Sequence, residues 1–95
     1  MSISVTDLMK KGNVNIIDIR AKESYNNNHI PGAKNIQQNE LLIRPEKYLN
    51  KDNEYYIYCQ HGHSSKKLSQ ILNNKGYKAI NVIGGYEAWV LSKYS

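Results

Sequence analysis

The stretch NEYYIYCQHGHSSKKLSQILNNKGY, residues 53–77, decides the fold. Its first part, Asn53–Cys59, is mostly aromatic or β-branched and follows a turn, which is typical of a strand. A loop, residues 60–64, comes next. From about Ser65 onward, apolar residues recur at helical spacing until a glycine ends the pattern. A strand that leads through a short loop into a helix predicts an α/β protein.

Strands and helices alternate through the rest of the chain. NVNIIDIR, residues 13–20, is a short and nearly continuous apolar run, which predicts a central strand covered on both faces. HIPGAKNI and KAINVIGG each predict a further short strand next to a turn. Helices are expected at VTDLMKK with Ser4 as cap, at AKESYNNN, at QQNELLIRPEKYLN with a break at Pro45, and at YEAWVLSKYS. The pattern predicts a small α/β fold with a mostly parallel sheet.

Length and composition favour one soluble domain. We expect residues 1–95 to form a single domain, because a chain of this length supports one modest core. No apolar run approaches the roughly 20 residues of a transmembrane helix, and the N-terminal MSISVTDLMKKG lacks the apolar segment of a secretory signal. The chain has one cysteine, so it forms no internal disulfide. We therefore expect a cytoplasmic protein with a free thiol and no membrane partner.

The positive charge is spread over the whole length. Thirteen Lys and Arg against eight Asp and Glu give a formal net charge of +5. A nucleic-acid interface would cluster these cations among stacking aromatic residues, whereas the longest basic run here is a Lys-Lys pair. The charge therefore indicates a solvated surface that attracts small anions or acidic proteins, and no nucleic-acid partner.

The loop after Cys59 is the candidate site. In parallel sheets the functional crevice lies beyond the carboxyl ends of the strands, so Asp18–Arg20 and Cys59–Ser64 are expected at the same rim. A thiol attacks as its thiolate, and nearby positive charge or aligned N–H groups lower its pKa. The following helix offers free N–H groups at its start, and Gly62 lets the loop amides turn inward. Cys59 is therefore either a nucleophile in an anion-binding loop or simply a buried thiol.

The two histidines of the loop allow three interpretations. With Cys59, His61 and His63 offer three metal donors, but a structural zinc site needs four, so no metal is predicted. They are also candidate acids or bases near neutral pH, or simply exposed polar residues. A phosphatase-type cysteine loop needs an arginine six residues after the cysteine, where this chain has Ser65, so phosphoryl transfer is disfavoured.

Five blocks of the sequence resemble the single-domain rhodanese-like sulfurtransferases, in the family's order and over nearly the whole chain. They are IIDIR (16–20), HIPGAKNI (29–36), YIYC with a glycine three residues later, LNNKGY (72–77) and VIGGYEAW (82–89). The resemblance implies a five-stranded parallel sheet between helices, with the cysteine at the base of a short active-site loop.

The resemblance also implies a reaction and its residues. Cys59 would take sulfur from a small anionic donor such as thiosulfate, hold it as a persulfide, and pass it to a thiol or cyanide acceptor, or to an acceptor protein. No metal or organic cofactor is implied. The substrate-binding residues would be Gln60, His61, Gly62, His63, Ser64 and Ser65. Asp18, Arg20 and His29 would form the supporting framework.

Three positions depart from the family pattern. One is Ser24, where the family carries a glutamate before the aromatic Tyr25 and this chain has Glu23 one place earlier. The loop usually carries arginine where this chain has Ser64, so we expect weaker use of thiosulfate, with His63, Lys66 or Lys67 replacing part of the missing charge. The glycine before His29 is replaced by Asn28, and because asparagine tolerates left-handed backbone angles better than most residues, we expect the turn to survive. The missing arginine leaves an alternative open, a rhodanese-like binding or regulatory module with little or no activity on thiosulfate.

Overall fold

The computed structural model describes residues 1–94. Five strands form one sheet, and helices connect them. The strands are β1 (Ser2–Ile3), β2 (Ile16–Asp18), β3 (Ala33–Asn35), β4 (Glu54–Tyr58) and β5 (Lys78–Val82). The helices are α1 (Val5–Met9), α2 (Lys22–Asn27), α3 (Gln38–Ile43), α4 (Pro45–Tyr48), α5 (His63–Asn74) and α6 (Gly85–Ser92).

The sheet is parallel throughout, in the order β1-β5-β4-β2-β3. The predicted α/β class and parallel sheet are therefore confirmed. In register, Asp18 lies beside Tyr58, so β2 and β4 end together. Cys59 follows β4 at this shared carboxyl edge, and Arg20 follows β2. The topology thus brings these two segments to the same rim.

Alternation along β4 divides the core between the two faces of the sheet. Tyr55 and Ile57 join a buried cluster with Leu68 and Leu72 of α5. Tyr56 and Tyr58 join a second cluster on the opposite face, which includes residues of α1 and α6. Because both faces are covered, β4 is buried almost throughout, as its continuous apolar run predicts.

The bounds of several elements differ from the sequence-based expectation. The predicted strand at residues 13–20 is hydrogen-bonded as a strand only over β2, and β1 was not predicted at all. Helix α5 begins at His63 rather than at about Ser65. The break at Pro45 is confirmed, because α3 ends just before it and α4 begins with it. The cap at Ser4 is also confirmed, since its side chain accepts from the Asp7 amide.

Asn28 does not use the left-handed angles that asparagine tolerates. Its φ is −169° and its ψ is 152°, which is extended backbone. Its side chain accepts a hydrogen bond from the following amide, of His29, at 2.9 Å. The turn therefore forms by a different route, in which an asparagine side chain satisfies a backbone donor.

The helices are short. The longest, α5, has 12 residues, and within residues 1–94 no helix has both the length and the apolar content needed to span a bilayer.

Candidate active site

The loop from Cys59 to α5 has its shape because two glycines permit close backbone contacts. Gly62 has a φ of +95°, a region that favours glycine, and a Cβ there would lie 2.8 Å from the Gly84 nitrogen. At Gly85 a Cβ would clash with the Cys59 carbonyl oxygen. The start of α6 holds the loop, since the Tyr86 amide donates to that carbonyl at 2.9 Å. The loop is thus fixed by backbone contacts.

The Cys59 thiol lies in a group of hydrogen-bond donors. Its Sγ accepts from the Gly62 amide at 3.1 Å and from the Ser65 amide at 3.4 Å, and it lies 3.3 Å from Ser65 Oγ. Burial of the half-buried thiol acts to raise its pKa. The hydrogen bonds to the Ser65 side chain and to the amides of Ser65, Gly62 and His61 oppose this and leave the pKa of Cys59 below its usual value. The site therefore favours the thiolate, which is the reactive form.

A cleft of about 340 Å³ gives access to Cys59 on the β2 side of the loop. Ser64, at which the resemblance leads us to expect an arginine, lines this cleft and so faces the same space as the thiol. The complete lining is Ile19, Arg20, Ala21, Ser24, Gln38, Cys59, Gln60 and Ser64. Among these residues only Arg20 carries a charge, so the cleft offers an anion one guanidinium.

Arg20 is held by a buried network. Its guanidinium forms an ion pair with Asp18 at 2.8 Å, and the Asp18 side chain is fully buried. Nη2 also donates to the Asn28 carbonyl, Nη1 lies 3.4 Å from Gln60 Oε1, and the Tyr86 ring stacks on the guanidinium at 3.9 Å. Burial acts to lower the pKa of Arg20, and the hydrogen bond and charge of Asp18 outweigh it and raise the pKa. Arg20 is therefore a permanent cation, and its contacts join several segments at the carboxyl edge of the sheet.

Two of the residues expected to replace part of the missing charge, His63 and Lys66, face another cleft. His63 and Lys66 line a space of about 380 Å³ that also contains Ser2 of β1 and Asn81 of β5. It lies toward β5 and β1, on the other side of the loop from the cleft of Cys59. Neither residue lines the cleft beside the thiol, and Lys67 lines neither space.

The remaining predicted residues have structural partners. His61 Nδ1 lies 2.8 Å from a Glu87 carboxylate oxygen, with both side chains largely exposed. His29 stacks on Tyr25 and its Nδ1 lies 2.8 Å from the Tyr25 carbonyl oxygen, away from the cleft. Within residues 1–94 no three His, Cys, Asp or Glu side chains are placed to hold a metal ion, so Cys59, His61 and His63 do not converge.

Two residues near the thiol were not singled out from the sequence. Asn81 accepts a hydrogen bond from Ser65 Oγ at 2.6 Å and is 4% exposed. The one signal for it is a polar residue between the apolar Ile80 and Val82 of β5. Tyr86 lies in the predicted last helix, and its ring covers the Arg20 guanidinium.

Comparison with known proteins agrees with this geometry. The pattern described as the rhodanese-like domain matches residues 3–92. The chain belongs to the rhodanese-like domain family. The thiosulfate sulfurtransferase GlpE of Coxiella burnetii is 36% identical to this rhodanese-like chain over 84 residues, which are 87% of the chain and 78% of that protein.

Solved structures show the same fold. A rhodanese-related protein from Thermoplasma volcanium superposes with a TM-score of 0.88 at 27% identity, covering 99% of this chain and 94% of that one. The human single-domain sulfurtransferase TSTD1 superposes with a TM-score of 0.79 at 27% identity, covering 99% of this chain and 97% of that one. The five-stranded parallel sheet of this rhodanese-like domain is therefore the family's fold.

Proposed function

We propose that this rhodanese-like domain is a sulfurtransferase that carries sulfur as a persulfide on Cys59. The observation that carries the proposal is the position of Sγ, which accepts hydrogen bonds from two backbone N–H groups at the mouth of an open cleft. These donors stabilise a thiolate, and they are equally suited to a persulfide anion that extends into the loop. The names of the relatives, thiosulfate sulfurtransferase and single-domain sulfurtransferase, support the same chemistry.

The reaction proceeds in two displacement steps. The Cys59 thiolate attacks the outer sulfur of thiosulfate, a new S–S bond forms, and sulfite leaves with the electron pair of the donor's S–S bond. The terminal sulfur then carries the negative charge. A thiolate or cyanide acceptor attacks this sulfur, and Cys59 leaves as the thiolate. Each step is a two-electron displacement between sulfur atoms or from carbon to sulfur, so neither an external oxidant nor a cofactor is required.

Arg20 is proposed to supply the electrostatic attraction for an anionic donor. It is the one charged residue among those lining the cleft, and its Nη1 makes only a long contact with Gln60. Its other N–H groups are occupied by Asp18 and Asn28. Gln60 and Ser64 offer polar contacts at the entrance. The attraction is therefore partial, which suits a donor that depends less on charge than thiosulfate does.

The same charge deficit favours a second candidate, a binding or regulatory module that keeps the fold without rapid turnover. A loop with a free thiol, next to a cleft whose one cation, Arg20, is already paired with Asp18, is sufficient for such a role. For either role we propose a reducing compartment, such as the cytoplasm, because an oxidising one would consume the free thiol.

Steady-state kinetics test the proposal. With thiosulfate as donor and cyanide as acceptor, we expect thiocyanate formation with the parallel-line pattern of a mechanism that passes through a covalent intermediate. Cys59→Ser should abolish the reaction, and Gln70→Ala, at an exposed position on α5, should leave it unchanged. A module without enzymatic activity would give no turnover with thiosulfate or with organic persulfides.

A further inference from the structure

The Ser65 hydroxyl lies between two groups that compete for its hydrogen. Ser65 Oγ is 3.3 Å from Cys59 Sγ and 2.6 Å from Asn81 Oδ1. Ser65 is fully buried, so bulk water does not complete the hydrogen bonds of its hydroxyl, and Asn81 is 4% exposed. A serine hydroxyl has a single hydrogen to donate. It therefore donates to the sulfur or to the asparagine, but not to both.

The arrangement in the structure suits the neutral thiol. The Ser65 hydroxyl donates to Asn81 Oδ1, and the Cys59 S–H donates to the lone pairs of Ser65 Oγ. After the thiol loses its proton to water, Sγ is only an acceptor. The Ser65 lone pairs would then face a negative sulfur. For the thiolate to gain this hydrogen bond, the hydroxyl hydrogen has to turn from Asn81 to Sγ.

Asn81 is able to allow that turn. Its Nδ2 has no hydrogen-bond partner among residues 1–94, and Asn81 borders the cleft on the β5 side of the loop. The two ends of a side-chain amide have nearly the same shape, so a half-turn places Nδ2 where Oδ1 was. Nδ2 then donates to Ser65 Oγ, and the Ser65 hydroxyl donates to the thiolate. No other hydrogen bond of the Asn81 side chain breaks in this turn.

We propose that Asn81 is a positioning residue whose side-chain amide turns over when Cys59 becomes an anion, so that Ser65 donates to the sulfur. The same arrangement serves the thiolate that attacks the donor and the thiolate that leaves after transfer. The inference rests on the proposed function only for its biological use, because the ionisation of Cys59 is measurable without a sulfur donor.

Other charged groups near Cys59 come from several elements. They are Arg20 with Asp18 after β2, His61 in the loop, His63 and Lys66 in α5, and Glu87 in α6. All of them are unchanged in the variants below. Their contribution to the Cys59 titration therefore cancels in the comparison.

The test measures the rate at which iodoacetamide alkylates Cys59 as a function of pH, with intact mass as the readout. The full chain has one cysteine, so the signal has one source. Asn81→Asp replaces the amide with a group that accepts but does not donate, so the Ser65 hydroxyl stays turned away from the sulfur. We expect the rate below the wild-type midpoint to fall about tenfold, the size of one charged hydrogen bond.

Asn81→Leu removes the competing acceptor without adding a charge. The Ser65 hydroxyl then has the sulfur as its acceptor, and we expect a rate at or above that of the wild type. A residue that served only to fill space would show the opposite order, because Asp has nearly the shape of Asn and Leu does not, and that result would overturn the proposal. If both variants slow alkylation equally, or if neither changes it, the proposal is wrong.

Ser65→Ala separates the effect of the Ser65 hydrogen bond from the direct effect of the negative charge that Asn81→Asp adds. In this background we expect Asn81→Leu to have no effect, and Asn81→Asp to keep only the effect of its added negative charge. Circular dichroism verifies the fold of each variant. If the leucine variant does not fold, Asn81→Asp is compared in the wild type and in Ser65→Ala. An equal fall of the alkylation rate in these two proteins would overturn the inference. Absence of sulfur transfer in the wild type would contradict the proposed function and leave this result intact.

Discussion

At the residue scale, the cleft beside Cys59 is short of positive charge. Ser64, at which the resemblance leads us to expect an arginine, lines the cleft beside the thiol. His63 and Lys66 face the other cleft, so they do not replace that arginine beside the sulfur. Arg20 remains, and its guanidinium is already paired with Asp18. Binding of an anionic donor should therefore limit the reaction more than the reactivity of the thiol does.

Restoring the loop arginine should increase activity with thiosulfate. In Ser64→Arg a planar guanidinium would enter the cleft and donate two hydrogen bonds to the donor's oxygen atoms. We expect kcat/KM for thiosulfate to rise about tenfold, mainly through a lower KM, since a hydrogen bond to a charged group contributes about 1.5 kcal/mol or more. Steady-state kinetics at a fixed acceptor concentration measure this change.

A matched control separates local charge from net charge. Gln70→Arg adds the same guanidinium on the exposed face of α5, outside the cleft, and should leave kcat/KM within twofold. An unchanged or lower rate for Ser64→Arg, with the fold intact, would show that the loop is adapted to a different donor.

The sequence predicts some of these residues better than others. Cys59 and its loop follow from a strand, a glycine and a helix start in direct succession. Asn81 is distant in sequence from Ser65, and only the pairing of β5 beside β4 brings the two together. The direction in which His63 points depends on the start of α5, which lies two residues earlier than the pattern indicates. Such long-range contacts and exact helix starts are beyond local patterns.

At the element scale, the loop and the start of α5 act as one rigid donor site. Gly62 supplies both the turn, with a φ of +95°, and an amide that donates to Sγ at 3.1 Å. Its missing side chain lets the loop pack directly on Gly84. The reactivity of Cys59 therefore depends on a position that has no side chain of its own.

Gly62→Ala should reduce both stability and thiol reactivity. A Cβ at this position strains the left-handed backbone and meets the Gly84 nitrogen at 2.8 Å. Left-handed strain alone costs about 1–2 kcal/mol of unfolding free energy, and the clash should add to this. As the loop shifts, Sγ loses amide donors, so the Cys59 pKa should rise and alkylation at neutral pH should slow. Urea unfolding and alkylation rates measure the two effects.

Gly32→Ala is the matched control, because its φ of +86° is similar and no atom lies within 4 Å of the added Cβ. It should lose the unfolding free energy that left-handed strain costs, with no change in the alkylation rate of Cys59. Equal losses of stability in the two variants, or an unchanged alkylation rate in Gly62→Ala, would contradict this account of the loop.

Element boundaries also show where prediction from sequence stops. β1 is two residues long and has no alternation of its own, so it exists only because β5 offers an edge for pairing. By contrast, β4 has five residues, four of them buried, and its pattern predicts it directly. The edge strand β3 is also predicted, by the turn in HIPGAKNI, so β1 is the strand that local patterns miss.

At the scale of the whole molecule, Arg20 joins parts of the chain that are far apart in sequence. It contacts the end of β2 through Asp18 and the residue after α2 through the Asn28 carbonyl. It also contacts the loop after Cys59 through Gln60 and the start of α6 through Tyr86. The rim of the sheet therefore depends on a single side chain. Function and stability meet at this point, since the same residue lines the cleft.

Arg20→Met should destabilise the whole fold. The substitution keeps an unbranched stem but leaves the fully buried Asp18 carboxylate without its cation. Breaking a buried pair in this way costs about 3–5 kcal/mol, a large share of the stability of a small domain. Thermal and urea unfolding measure the loss. Arg44→Met, which breaks the exposed pair with Glu40, should change stability little. Similar small losses in both variants would show that the rim network does not stabilise the fold.

The central claim, that Cys59 carries sulfur, is tested most directly by intact mass after incubation with thiosulfate or with an alkyl persulfide. The account predicts that the protein gains the mass of one sulfur atom, that cyanide removes it, and that Cys59→Ser gains none. No gain with either donor, or an equal gain in Cys59→Ser, would contradict it.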